Sequence, residues 1–168
     1  MKQLKGSCHC GAVEFEFKTP APVPFMRCYC SICRKTSGGG GYTVNIMGMS
    51  DTLTIARGKE NLKSYRAIKN KEAPEKDQVL CQNRYFCTTC ASYLWAHCDD
   101  YPQWIYPYAS AIDSELPVPQ KTTSIMLESA KKWANPRELP SGADATDTFD
   151  VYPDYSLEQW HKDHSQLC

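Results

Sequence analysis

Arg27-Cys28-Tyr29-Cys30-Ser31-Ile32-Cys33-Arg34 puts three thiols within six residues. In an extended chain residues i and i+2 point to the same side, so Cys28 and Cys30 can face a single ion. A turn through Ser31-Ile32 then brings Cys33 back onto it. Three sulfurs from one short segment leave a tetrahedral metal with a vacant corner, the feature that separates a working zinc site from a structural one. The rest of the chain is weighed against that possibility.

Ten cysteines among 168 residues are many, and the compartment decides their meaning. The amino-terminal Met1-Lys2-Gln3-Leu4-Lys5-Gly6 has no apolar signal core. No apolar run approaches the roughly 20 residues of a spanning helix. Lys and Arg number 19, as do Asp and Glu, so no general field steers the chain to nucleic acid or membrane. The chain is read as soluble and cytoplasmic, where dense cysteines are metal ligands more often than disulfides. Its length suits one domain, residues 1–168, with metal motifs in 6–95 and an irregular C-terminal extension over 96–168.

Working outward, Gly6 to Gly11 is a glycine-bracketed turn carrying Cys8 and Cys10. Residues 12–18 alternate Val13, Phe15 and Phe17 with charged residues, the period of a half-buried strand. Pro20, Pro22 and Pro24 make an extended linker that cannot join a central ladder. Beyond the thiols, four glycines run from Gly38 to Gly41. Strands are expected over 42–47, 52–56 (turned by Gly58), 62–67 and 79–86, with a charged loop over 69–77. The fourth of these strands delivers Cys87-Thr88-Thr89-Cys90, and Tyr93 and Trp95 continue as the second arm of a zinc-ribbon-like hairpin. Short strands follow over 104–108 and 124–127. Residues 134–153 read as loop. Ser156 and Gln159 fit a capping box for a short C-terminal helix over 157–164. The class is mainly β, of antiparallel sheets with little helix.

Seven clustered thiols divide into four and three. Joining Cys8/Cys10 to Cys87/Cys90 closes a loop of about eighty residues, where a cross-link contributes most. Cys28, Cys30 and Cys33 then hold an open metal. Spacing alone leaves the reverse pairing possible. Other readings are ordinary buried thiols, an iron–sulfur cluster, or a second closed zinc completed by His9, Cys81, Cys98 or His97. His9 and His97 read as surface groups or neighbours of ligands, and His161 and His164 as solvated. An open all-thiolate zinc is electron-rich and suits a fourth, soft sulfur ligand better than it suits hydrolysis. Arg27, Arg34 and Lys35 flank the cluster and could receive the carboxylates of an anionic thiol. Gly39 and Gly40, within the glycine run, would let a ligand approach bare backbone N–H groups.

Gly6-Ser7-Cys8-His9-Cys10-Gly11-Ala12-Val13, Cys28-Tyr29-Cys30-Ser31-Ile32-Cys33-Arg34-Lys35 with its glycine run, and Phe86-Cys87-Thr88-Thr89-Cys90 together resemble the glutathione-dependent formaldehyde-activating enzyme family. That family also includes the centromere protein V-like proteins. The segment from Tyr106 to Asp113 is similar too. The resemblance implies a β-tent fold, a structural zinc on Cys8, Cys10, Cys87 and Cys90, and a catalytic zinc on Cys28, Cys30 and Cys33, hence two zinc ions per chain. It further implies a carbon–sulfur lyase-type activity on a glutathione adduct of formaldehyde or of another small electrophile. The alternative is a non-catalytic, zinc-stabilised binding module of the same fold. Neutral charge disfavours a nucleic-acid partner. One departure stands out: where the family usually reads Cys-x-x-Cys-Gly-Thr, this chain has Cys90-Ala91-Ser92. Loss of glycine's freedom predicts a reshaped turn at Ala91.

Overall fold

The structure, a computed structural model, describes residues 1–36, 39–139, 154, 159 and 163. Two compact units divide the chain, Met1–Glu138 and Leu139–Cys168. In chain order the first unit contains β1 (Lys2–Ser7), β2 (Glu14–Thr19), β3 (Met26–Cys28), α1 (Ser31–Thr36), β4 (Thr43–Val44), β5 (Gly48–Met49) and β6 (Thr54–Arg57). These are followed by β7 (Leu62–Ile68), β8 (Leu80–Cys87), β9 (Tyr93–His97), β10 (Trp104–Pro107) and β11 (Thr123–Ile125).

Three sheets result, ordered β1-β2-β6, β5-β10-β9-β8-β7 and β11-β3-β4. All pairings are antiparallel except β11 on β3. The mainly β architecture with little helix is as the alternating pattern predicts. The core forms where the first two sheets meet: Leu4, Val13, Phe15 and Phe17 on one side, Leu94, Trp95 and Ile105 on the other. Phe15 and Trp95 pack with ring centroids 5.0 Å apart. Cys8 and Cys87 are buried in the same cluster, so the Cys8/Cys10 and Cys87/Cys90 pairs grow directly out of the core.

Several elements depart from expectation. β1 was hidden because only Leu4 and Gly6 face inward, between outward lysines. Gly6 is there for space: a Cβ would stand 2.3 Å from the Ala111 carbonyl oxygen and 2.5 Å from the Phe15 ring. The strand expected over 42–47 is split. Its start pairs with β3, and the chain crosses through bridges at Asn45 and Met47 to β5 in the larger sheet. The strand expected at 52 begins at Thr54, after a 3-10 turn at Ser50–Thr52. The strand at 124–127 is Thr123–Ile125 and ends where Met126 takes a φ of 62°.

In the second unit Gln159 and Asp163 are helical, and Gln159 Nε2 donates to Asp163 Oδ1 over 2.7 Å. The rest of the helix expected over 157–164, with His161 and His164, lies outside the described residues, as does Cys168.

Candidate metal and thiol site

The β1–β2 hairpin loop carries Cys8 and Cys10. Cys8 N donates to Val13 O over 3.0 Å and Gly11 N to Cys8 O over 2.9 Å, with Gly11 at a φ of 72° to close the turn. Across from it, Cys87 ends β8 and Cys90 lies in the turn to β9. Ala91 N donates to Cys87 O over 2.8 Å and Cys87 N to Ser92 O over 3.0 Å, winding that turn around the thiols. The two loops are tied by His9 N donating to Ser92 Oγ over 3.1 Å. The anticipated reshaping of this turn does not occur. Ala91 takes the left-handed conformation itself, at a φ of 58°, because the hydrogen bonds on both sides fix the path of the chain.

The four sulfurs of Cys8, Cys10, Cys87 and Cys90 lie within 4.8 Å of one another. Cys8 and Cys10 are 3.5 Å apart and Cys10 and Cys87 3.9 Å. A tetrahedron with metal–sulfur bonds of about 2.3 Å has edges of about 3.8 Å, so these sulfurs could hold a metal ion with little movement. Their protons are unevenly held. The Ser92 hydroxyl 3.2 Å from Cys90 Sγ is the main influence bringing that thiol down to about 5. Cys10 is pushed up to about 12; the Ala12 backbone opposes this rise, while lost solvation and the thiols of Cys90, Cys8 and Cys87 drive it. Thiols this close cannot all ionise without a cation among them.

The second group joins Cys28 at the end of β3, Cys30 in the link, and Cys33 on α1, again within 4.8 Å. The return through Ser31-Ile32 is thus a helical turn. Arg34 N donates to Cys30 O over 3.1 Å and Cys33 N to Cys30 Sγ over 3.4 Å. Thr43 Oγ1 on β4 donates to Cys33 O over 3.0 Å and ties the helix to the sheet. β11 braces the other side, with Tyr29 N donating to Ile125 O over 3.1 Å. Thiol hydrogen bonds from Cys28 and Cys33 hold Cys30 well below the ordinary thiol range. The Cys30 thiol pushes Cys28 up, and the thiols of Cys28 and Cys30 push Cys33 up. Among the described residues no fourth cysteine, histidine or carboxylate joins this group. His97 Nδ1 instead lies 3.8 Å from Asp99, and Cys98 Sγ 3.6 Å from Asp100. The Cys81 side chain lies outside what is described.

A cavity of about 800 Å³ opens beside α1. Arg34 and Lys35 line it, with Gly39 from the glycine run, facing Ser7, His9 and Asp113. Cys8 of the four-sulfur group lines it too, with Ala91, Ser92 and Tyr93, and burial holds the Tyr93 phenol above its usual range. None of the three cysteines of this second group is in this wall; Cys33 precedes Arg34 on α1. Arg27 is outside the cavity, its guanidinium 5.3 Å from the Tyr42 ring centroid, and a Cβ on Gly40 would stand 3.6 Å from that same ring. Ser7, Tyr93 and Asp113 carried no role in the sequence. Ser7 and Asp113 had the only available signal, as members of segments that resembled the family.

The profile of the glutathione-dependent formaldehyde-activating enzyme family matches residues 3–128, which hold all seven clustered cysteines and Asp113. A Halomonas elongata protein whose name assigns it to those enzymes is 45% identical over 159 residues, 94% of each chain. The chain belongs to the glutathione-dependent formaldehyde-activating enzyme family. A crystal structure of a Rhodobacter sphaeroides protein is also similar, with a TM-score of 0.51 at 27% identity, over 68% of this chain and 92% of that one.

Proposed function

We propose that this chain is a cytoplasmic zinc enzyme that joins glutathione, or a similar thiol, to formaldehyde or another small electrophile, and cleaves the adduct in reverse. The observation that carries the reading is a three-sulfur group without a fourth protein ligand among the described residues, followed in the chain by Arg34 and Lys35, which line a cavity. Cys8, Cys10, Cys87 and Cys90 would hold one zinc closed, as a structural element, and Cys28, Cys30 and Cys33 a second with one corner free. When bound there, zinc would supply a soft Lewis-acid corner that favours a substrate thiol in its ionised form near neutral pH.

In the synthetic direction the substrate sulfur attacks the carbonyl carbon, forming the C–S bond. The carbonyl π pair moves to oxygen, which takes up the proton that the thiol released. Cleavage runs the same steps backward. Arg34 and Lys35 would bind the thiol's carboxylates, arginine preferably by two parallel hydrogen bonds. Gly39, around which a Cβ would meet nothing within 4 Å, would admit the peptide backbone of the ligand. No described helix is long and apolar enough to cross a membrane.

Calorimetry on the zinc-loaded and partly zinc-depleted protein tests the reading. Glutathione should bind the loaded protein, S-methylglutathione much more weakly, and removal of the labile zinc should abolish the difference. Equal affinity of the loaded protein for both ligands would end the enzyme reading and leave a zinc-stabilised binding module.

A further inference from the structure

A second cavity, of about 550 Å³, is lined by the five-stranded sheet on one side and by β6 with its flanking turns on the other. It shares no residue with the cavity beside α1, and none of the seven clustered cysteines lines it. Cross-strand pairing builds its floor on one face of the sheet. Tyr85 on β8 stands opposite Trp95 on β9, and Ile105 on β10 opposite His97. Leu62, Leu53 and Ile55 close the apolar part. These side chains pack against the core, yet Leu53, Ile55, Leu62 and Tyr85 are only half-buried. A concavity of this size with a mostly apolar lining suits a small molecule.

The floor is aromatic. The Tyr85 and Trp95 rings lie 17° from parallel with centroids 5.1 Å apart. Trp95 is buried and also packs on Phe15, so Tyr85 is the more exposed end of this aromatic row. A flat aromatic ligand would extend the row by the offset contacts that such rings favour.

The rim carries one sign of charge. Lys59 and Lys63 line it, both exposed, with His97 beside them, and no carboxylate does. The ion pairs among the described residues involve neither lysine. Gly58, at a φ of 75°, opens the 3-10 turn that sets Lys59 at the rim.

We propose that this cavity is a second ligand site, for an aromatic monocarboxylate whose ring lies against Tyr85 and whose carboxylate faces Lys59 and Lys63. An alkyl carboxylate would meet the lysines and forgo the stacking; a neutral arene would do the reverse. The site is independent of the thiol chemistry, since the two cavities have no lining residue in common. Tyr85 stands two residues before Cys87 on β8, and Leu62 pairs with Cys87 across β7 and β8. A seated ligand therefore braces the strand that ends in Cys87 and stabilises the folded chain by mass action.

The test is calorimetry of 1-naphthoate on the zinc-loaded full chain, beside 1-naphthalenemethanol, which lacks the charge, and octanoate, which lacks the rings. The wild type should bind naphthoate saturably and about fivefold more tightly than either comparison ligand. Tyr85→Leu should weaken naphthoate about fivefold and remove its advantage over octanoate. Lys59→Met combined with Lys63→Met should weaken it about fivefold and remove both its advantage over the alcohol and its sensitivity to salt. Cys33→Ser and Arg34→Met, outside the cavity, should bind it as the wild type does. Thermal unfolding of each variant, measured alongside, establishes that it is folded. No saturable binding to the wild type, or an affinity that neither Tyr85→Leu nor the lysine pair changes, would overturn the site. Loss of binding in Cys33→Ser or Arg34→Met would overturn it too, by moving the carboxylate to the cysteine group or the first cavity. Equal binding of octanoate or of the alcohol by the wild type would overturn the assigned ligand class.

Discussion

Ala91→Gly should stabilise the metal-loaded protein. Ala91 occupies the left-handed region at a φ of 58°, immediately after Cys90. A Cβ in that region costs roughly 1–2 kcal/mol, which glycine does not incur. Glycine also gives the unfolded chain more freedom, which offsets roughly 0.4–1 kcal/mol. Midpoints of about 1.5 and 0.7 leave about 0.8 kcal/mol in favour of the variant. For a chain of this length that corresponds to a rise of about 2 °C in Tm. Ala56→Gly on β6 is the control, since Ala56 is exposed and has no positive φ. It gives up only the entropic part and should lower Tm. Thermal and urea unfolding of the wild type and both variants, at saturating zinc, reads the difference. If Ala91→Gly falls with Ala56→Gly, the alanine is not strained and the turn described around Cys87 and Cys90 is wrong.

Purified without chelators, the protein should carry two zinc ions, one removed readily by chelator and one released only on unfolding; a single tightly held metal with Cys28, Cys30 and Cys33 free to alkylate would remove the open site. Cys87→Ser should destabilise the fold by more than about 4 kcal/mol, since Cys87 is both core residue and proposed structural ligand, whereas Cys33→Ser should stay folded and lose the labile metal. If circular dichroism and metal analysis find the two variants alike, the division into four and three is mistaken. Gly58→Ala should cost about 3 kcal/mol by urea unfolding, because Gly58 has a φ of 75° and a Cβ there would fall 1.9 Å from the Ala12 carbonyl oxygen. Wild-type stability in that variant would show that the Gly58 turn does not press on the Cys8–Cys10 hairpin.

The two cysteine groups were legible because their spacing is local. Cys8 and Cys10, Cys28 and Cys30, and Cys87 and Cys90 are each set two or three residues apart, and the structure brings together the same seven sulfurs. Strands facing a shared core were legible for a similar reason, since Phe15 and Phe17 or Tyr93 and Trp95 declare their face by alternation. What escaped was structure fixed from outside the segment. β1 needs β2 before Lys2-Gln3-Leu4-Lys5 reads as anything but a polar end. α1 has six residues, too few for a helical period to emerge, and is held by Thr43 from a neighbouring strand. Ala91 shows the same priority from the other side: local preference argued against the left-handed turn, and the hydrogen bonds around Cys87 overrode it.

The cavity follows that logic one step further. A ligand wall is assembled from elements distant in sequence, so no spacing rule announces it. Ser7 comes from β1, Lys35 from α1, Tyr93 from β9 and Asp113 from beyond β10, and only the pairing of β1 with β2 and of β9 with β10 sets their elements in place. Arg34 and Lys35 were found as neighbours of thiols, through their sign alone. Their counterpart Asp113 could not be found that way, because it stands eighty residues from Cys33, by subtraction of their numbers. The cysteine groups are therefore displayed by the sequence itself. The charges that line the cavity become neighbours only after folding.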